Sequence, residues 1–270
     1  MMGRALAYFV LTAGAAVTSF PFVWMLLTAL KSPAEAASPT LRLFPERWLW
    51  ENFALTFQAA PFGLYFFNSL FVACVVTISA VLTSLMAGYA FARLRFRGRD
   101  FVFGIVLLTM IVPFEVTLVP NFILILKLGW YNRYPALIVP WCASAFSIFL
   151  MRQAFLTLPG DYFDAAKVDG CGHLRFLARV GTPLVKPAVI TVALFAFLGS
   201  YNSLLWPLVV TCSDRMRVVQ VALTVFSGAD GARFNLMMCA ATIVVLPTVL
   251  LYFASQRHFL EGSLGAGLKG

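Results

Sequence analysis

The residues best placed to act on something outside the chain form one run, Leu158-Pro159-Gly160-Asp161-Tyr162-Phe163-Asp164-Ala165-Ala166-Lys167-Val168-Asp169-Gly170, followed by Thr182-Pro183 and Lys186-Pro187. Their chemistry is recognition rather than bond-making. Pro159 can stop a preceding helix, Asp161 offers an N-cap for a new one, and Gly170 lets the chain turn out of it. Ala165 and Ala166 are small enough for close approach to another protein. Asp164 offers a carboxylate, either to an Arg or Lys of a partner or to solvent at a helix start, where the dipole favours it. The spacing fits a short helix seated in a partner's cleft, and it equally fits a capped linker helix.

A second polar group, Tyr201-Asn202-Ser203 with Trp206, stands in an apolar stretch about 20 Å along a helix from Pro187. Neutral hydroxyls, an amide and flat rings suit a sugar, and a four-residue spacing places Asn202 and Trp206 on one helix face. The same groups can instead join helices to one another. Glu115, between Pro113 and Pro120, either faces a water-filled passage or partner helix or is protonated and packed.

Catalytic patterns are missing. The chain has no Gly-x-x-x-x-Gly-Lys-Ser/Thr element, no His-Glu-x-x-His and no nucleophile elbow, and His173 and His258 read as surface residues. The five cysteines are odd in number and lack paired spacing, which suits small buried side chains. No metal, cofactor or enzymatic activity is expected.

Composition states which elements must position these groups. Of 270 residues, 61% are hydrophobic and 11% charged, against roughly a quarter charged in soluble domains. A lipid solvent resolves that deficit. The net charge of +9 does not point to nucleic acid, because the basic residues occupy short breaks between apolar runs. A crossing helix needs about 20 apolar residues, and six stretches approach or exceed that length: 5–30, 68–92, 101–126, 134–151, 187–210 and 236–255. Helix is the state that satisfies their backbone in lipid. The first apolar run is too long for a signal-peptide core and is kept as a span. The expected fold is all-α: one polytopic domain over residues 1–270, with six transmembrane helices and a cytoplasmic helix in the loop 152–186, between the fourth and fifth spans.

Placing both termini in the cytoplasm puts Arg4, Arg93, Arg95, Arg97, Arg99, Arg152, Lys167, Arg175, Arg179, Lys186, Arg257 and Lys269 inside, twelve of the 20 basic residues. The tight cluster Arg93 to Arg99 resists translocation. It serves topology and lipid head-group contact, or touches a cytoplasmic partner.

The 158–187 run resembles the cytoplasmic signature loop of ATP-binding-cassette importer permeases, with Asp164, Ala165, Ala166, Gly170, Val180 and Pro183 at the signature places. Asp164 stands for the usual Glu and Thr182 for the usual Leu. Further segments are similar to the carbohydrate-uptake branch, of the type of the second, smaller permease of the maltose system: Asn68-Ser69, Tyr89-Ala90-Phe91-Ala92-Arg93, Gly129-Trp130-Tyr131-Asn132, Phe149-Leu150-Met151-Arg152-Gln153, Tyr201 to Leu208, and the tail from Gly262. The resemblance runs from about the first span to the last residue. It implies a multi-pass protein of a bacterial-type inner membrane that takes up a sugar or sugar-like solute. It also implies a second permease subunit, two ATP-binding subunits docked on the signature loops, and an extracytoplasmic solute-binding protein. The competing reading is an ion-coupled secondary transporter, which needs coupling groups and usually paired inverted halves.

Overall fold

The structure is a computed structural model that describes residues 2–40, 42–226 and 233–267. The side chains of Arg257 and His258, and Lys269 altogether, fall outside the described residues, so the expectations placed on them do too. Among the described residues every regular element is helical.

The chain divides into two compact units, Met1–Phe66 with Val218–Val249, and Phe67–Arg217 with Leu250–Gly270. In the first unit, α1 (Met2–Ala29) is followed by the single turn α2 (Pro33–Ala36) and by α3 (Glu51–Ala59). Ser32 and Glu35 form a reciprocal capping box at α2. Glu35 also accepts the Glu46 N–H at 2.8 Å, folding the segment after α1 back on itself. Buried Asn52 donates to the carbonyls of Ala29 (2.8 Å) and Lys31 (2.9 Å), groups that the end of α1 leaves without helical partners. Residues 4–23 of α1 are exposed along their whole length.

The long helix α4 (Phe62–Arg93) runs from the first unit into the second. Then come α5 (Arg99–Leu108), α6 (Phe114–Lys127), α7 (Tyr134–Ile138), one 3₁₀ turn at Val139–Trp141, and α8 (Ala145–Leu156). The loop region holds α9 (Asp161–Val168), α10 (His173–Phe176), a π-helical turn at Leu177–Gly181, and α11 (Thr182–Leu184). α12 (Lys186–Tyr201) and α13 (Leu205–Val210) complete the first stretch of this unit; α14 (Val219–Val225) belongs to the first unit, and α15 (Phe234–Gly267) runs from the first into the second.

Among the described residues, four helical stretches are long and apolar enough to cross a membrane: Arg4–Ala29, Phe62–Arg93, Tyr134–Leu156 and Phe234–Ala254. A fifth arises if His173–Leu184 and Lys186–Tyr201, bent by 87° at Val185, count as one span. Three of the six expected spans differ from uninterrupted helices. The stretch 134–151 consists of α7, the 3₁₀ turn and α8, with a break at 142–144. The stretch 101–126 is broken into α5 and α6 at Thr109–Pro113. Pro113 donates no hydrogen bond and drives Val112 out of helical geometry. The stretch 187–210 is broken at Asn202–Leu204. Continuous helix there would press the Pro207 ring against the Ser203 carbonyl, four residues back. The shared helix face expected for Asn202 and Trp206 is therefore absent.

Two asparagine-centred knots, one at buried Asn68 and one at half-buried Asn132, tie the second unit together at one end. Asn68 donates to the carbonyls of Arg215 (3.1 Å) and Arg217 (2.9 Å) and accepts from the Tyr134 hydroxyl at 2.7 Å. Asn132, at φ +57°, accepts from the N–H groups of Cys212 (3.1 Å) and Ser213 (3.2 Å). The other end is the apolar cluster that carries the candidate site.

Candidate functional site

Helix α9 lies on a floor built by α4 and α8. Leu85, Tyr89, Ala92, Met151, Phe155, Ala166, Phe176, Leu177, Val185 and Val192 form one buried cluster beneath it. α4 and α8 meet closely because position 88 is glycine. A Cβ there would stand 2.8 Å from Met151 Cβ and 2.9 Å from the Arg152 backbone nitrogen.

The two alanines of the run are not equivalent. Ala166 faces inward and is buried in the cluster, while Ala165 is exposed. On the outer surface beside Ala165 stand Asp161, Tyr162, Asp164, Lys167 and Val168. Val168 is 88% exposed, and Leu174 beyond the turn is 77% exposed. Full exposure of a Val and a Leu on a well-packed scaffold leaves roughly 1.5–3 kcal/mol per side chain unrealised, which marks a surface that gains by being covered.

The expected cap at Asp161 differs in detail. Gly160 occupies the N-cap position, its carbonyl accepting from the N–H groups of Phe163 (2.8 Å) and Asp164 (3.2 Å). Asp161 is therefore the first helical residue and makes no capping bond. Both Asp161 and Asp164 lie in the first turn and Lys167 in the last, each in register with the helix dipole. Gly170 leaves the helix at φ +67°, a conformation that costs a residue with a Cβ about 1–2 kcal/mol. Pro183 is exposed within α11, beyond the π turn.

Aromatic rings fasten α9 from below. Tyr89 stacks on Phe163 (6.2 Å between centroids, 18° between planes) and on Phe176 (5.8 Å, 29°), and meets Phe155 edge-on at 5.6 Å. Its hydroxyl hydrogen-bonds His173 Nδ1 at 2.7 Å. The Arg93 guanidinium sits 4.1 Å from the Phe163 ring centre. Its Nη2 donates to the Phe155 carbonyl at 2.8 Å and to the Leu158 carbonyl.

Sequence spacing assigns no role to Tyr89, Phe155, Phe163 or Phe176, and it leaves His173 as an unattached surface residue. The legible signal is the close of α4, where Tyr89 and Arg93 stand one turn apart. Arg93 also parts company with the rest of its cluster, because it is turned onto α8 and α9 while Arg95 and Arg97 are exposed. Asp100 takes two hydrogen bonds from Arg99 (3.0 and 3.3 Å), which hold its carboxyl below the usual range.

The second candidate group is dispersed. Trp206 is buried, its indole N–H donates to the Ala136 carbonyl at 2.8 Å, and its ring meets Phe114 edge-on at 5.9 Å. Tyr201 is buried and stacked on Phe197 at 5.5 Å. Asn202 is exposed and Ser203 half-buried at the break between α12 and α13. Glu115 is exposed in the first turn of α6, directly after the break at Pro113. Polar groups thus collect at the breaks of two interrupted spans, 101–126 and 187–210, rather than along one helix face. Among the described residues no group of His, Cys, Asp and Glu could hold a metal ion.

Comparison with known proteins gives consistent matches along nearly the whole chain. Residues 80–262 match the sequence profile of the family described as "Binding-protein-dependent transport system inner membrane component". The arabinooligosaccharides transport system permease protein AraQ of Halalkalibacterium halodurans is 31% identical over 94% of this chain and 92% of its own length. The lactose transport system permease protein LacG of Rhizobium radiobacter is 32% identical over 96% and 94%. The sn-glycerol-3-phosphate transport system permease protein UgpE of Yersinia enterocolitica is 30% identical over 93% and 92%. Among solved structures, a chain of a bacterial ABC transporter involved in the import of the acidic polysaccharide alginate superposes with a TM-score of 0.83 at 21% identity, covering 96% of both chains. That likeness concerns the fold.

Proposed function

Since the chain belongs to the family of binding-protein-dependent transport system inner membrane components, we propose that it is one of two permease subunits of an ATP-driven importer for a sugar or sugar-like solute, and that α9 is the helix on which a separate ATPase docks. The observation that carries the docking reading is the outer face of the loop. Ala165 and Val168 on α9, and Leu174 on α10, are presented to solvent, while the inner face of α9 is locked into the chain's own core through Ala166 and Phe163. A rigid mount with an uncovered apolar face suits a partner's cleft, and rigid elements transmit displacement between discrete packings.

In this reading the whole chain acts as one permease domain with six spans, the interrupted stretches α5–α6 and α12–α13 included. Both termini and α9 are cytoplasmic. Ala165 supplies the close approach, Gly170 and Pro183 shape the exit from α9, and Asp164 pairs with a basic residue of the ATPase. The solute passes the interrupted spans, where Asn202, Ser203 and Glu115 supply hydrogen-bonding groups while Tyr201 and Trp206 pack behind them. The arabinooligosaccharides and lactose in two of the relatives' names are rich in hydroxyl groups, which agrees with neutral amide and hydroxyl chemistry at that break. An extracytoplasmic binding protein delivers the solute, and ATP chemistry resides on other subunits.

The test is to express the chain with its genomic neighbours, solubilise the membranes and purify by a tag on this subunit. An ATPase that co-elutes with the native chain and is lost from Asp164→Lys, at unchanged permease yield, supports the reading. Solute uptake by the chain alone in liposomes, driven by an ion gradient, overturns it.

A further inference from the structure

Arg93 is the residue in which three elements of the site converge. It is the last residue of α4. One nitrogen of its guanidinium reaches the carbonyls of Phe155, in the last turn of α8, and Leu158, in the linker to α9. Its flat face covers the ring of Phe163, in α9 itself. The Nε atom is buried and makes no hydrogen bond. A buried donor left unpaired costs free energy, so the side chain is held for what its other atoms do. Tyr89, one turn earlier on α4, repeats the reach: it stacks on Phe163 and hydrogen-bonds His173 of α10.

The apolar cluster beneath α9 supplies the non-directional part of the attachment between these helices. What Arg93 adds is direction. Hydrogen bonds to the freed carbonyls at the end of α8 fix that helix along its axis. The guanidinium face fixes α9 across it. Hydrophobic contact is non-directional and lets helices slide.

We propose that Arg93 is a positioning residue that makes α4, α8 and α9 move as one body, so that a displacement imposed on the outer face of α9 arrives undiminished at the membrane-spanning helix α4. The proposal rests on the docking reading above. Lysine does not replace arginine here, because a point charge with no planar fork serves the two carbonyls and the ring less well.

The test uses the complex with its co-purifying ATPase, reconstituted in nanodiscs, with the native cysteines replaced and spin labels at Tyr162→Cys, on α9 to the side of the Ala165–Val168 face, and Ile78→Cys on α4, both exposed positions. Label separation is measured without nucleotide and after trapping with ATP and vanadate. If no ATPase accompanies the native chain, the docking reading fails, and the label separation in the isolated permease still reads the clamp. In the native complex the 78–162 separation is expected to stay narrow and equal in both states.

In Arg93→Met the distribution is expected to broaden and to shift on trapping, with a rise of roughly tenfold or more in the detached population, since both charge-assisted hydrogen bonds, to the Phe155 and Leu158 carbonyls, are lost. Arg93→Lys should fall between, and Arg97→Ala, in the same loop, should match the native protein. A merely structural role would lower the yield of Arg93→Met and leave the separation unchanged in the molecules that assemble, and that result overturns the proposal. If Arg93→Met does not assemble, Phe163→Leu decides, since it keeps apolar volume and removes the ring face. An unshifted distribution there, or failure of both variants while Arg93→Lys behaves as native, also overturns it.

Discussion

Substituting Gly88 tests whether the site depends on the close crossing of α4 and α8. An alanine Cβ would lie 2.8 Å from Met151 Cβ, 2.9 Å from Arg152 N and 3.0 Å from Met151 C. Two of those three atoms are backbone, so no rotamer change relieves them. Restoring an ordinary contact of 3.4 Å from 2.8 Å requires the helices to part by 0.6 Å. A radial gap of that order forfeits about a quarter to a half of each dispersion contact across it, and Met151 and Phe155, both wholly buried, lie in that seam. The same movement stretches the 2.8 Å bond from Arg93 to the Phe155 carbonyl. Overpacking of this kind costs about 1–3 kcal/mol. Gly104 and Gly199 are the internal standard: both are helical, with nothing within 4 Å of a built Cβ. Alanine at those two should stabilise by about 0.5–1 kcal/mol through helix propensity. The assay is thermal unfolding of the detergent-solubilised chain, with proteolysis of the 158–170 loop as a local readout. Gly88→Ala should melt below the native chain and release the loop, with Gly104→Ala and Gly199→Ala at or above it. Gly88→Ala behaving like the two standards refutes the close-crossing argument.

Further outcomes concern the ends of the bundle. Asn68→Ala leaves two carbonyls and the Tyr134 hydroxyl without their partner, at about 1–3 kcal/mol for each group that stays buried; faster maleimide labelling of exposed Cys212 would report the opened loop, and an unchanged rate would count against Asn68 as the tie. Glu35 has a carboxyl held below its usual value of 4.5, chiefly by the Ser32 backbone N–H. Its contribution is thus complete above that value and is lost as pH falls through the lowered one, so hydrogen exchange at Ser32 and Glu46 should rise only in acid, and Glu35→Gln should remove the pH dependence.

How much of this was legible in the sequence differs between elements for physical reasons. Long apolar stretches gave α1, α4 and α15 because hydropathy alone decides them, yet α4 overruns its expected bounds of 68–92 by about one and a half turns at its start, where Pro61 rather than a polarity change sets the limit. The fifth span reads as continuous because a count of apolar residues is blind to backbone donors, whereas the interruption of the third is visible in its prolines, of which Pro113 breaks the helix and Pro120 lies inside α6. Pro207 interrupts the fifth, and that in turn separates Asn202 from Trp206. The loop helix was legible from Pro159 and Gly170, residues whose backbone restrictions act locally. The clamp beneath it was not, because Tyr89, Phe155, Phe163 and Phe176 are far apart in sequence and meet only through the α4–α8 crossing. His173 shows the limit most plainly: an exposed histidine and one bonded to a tyrosine 84 positions away look alike in a string of letters.

Helix α1 draws almost nothing from its own chain, since residues 4–23 are exposed throughout. Its place in the bilayer is settled by its own transfer free energy, and it can be inserted while the remainder is still being synthesised. Conservative apolar exchanges along it should be silent in the purified subunit and register only in assembly yield, so a stability screen of the isolated chain would overlook a tenth of its length.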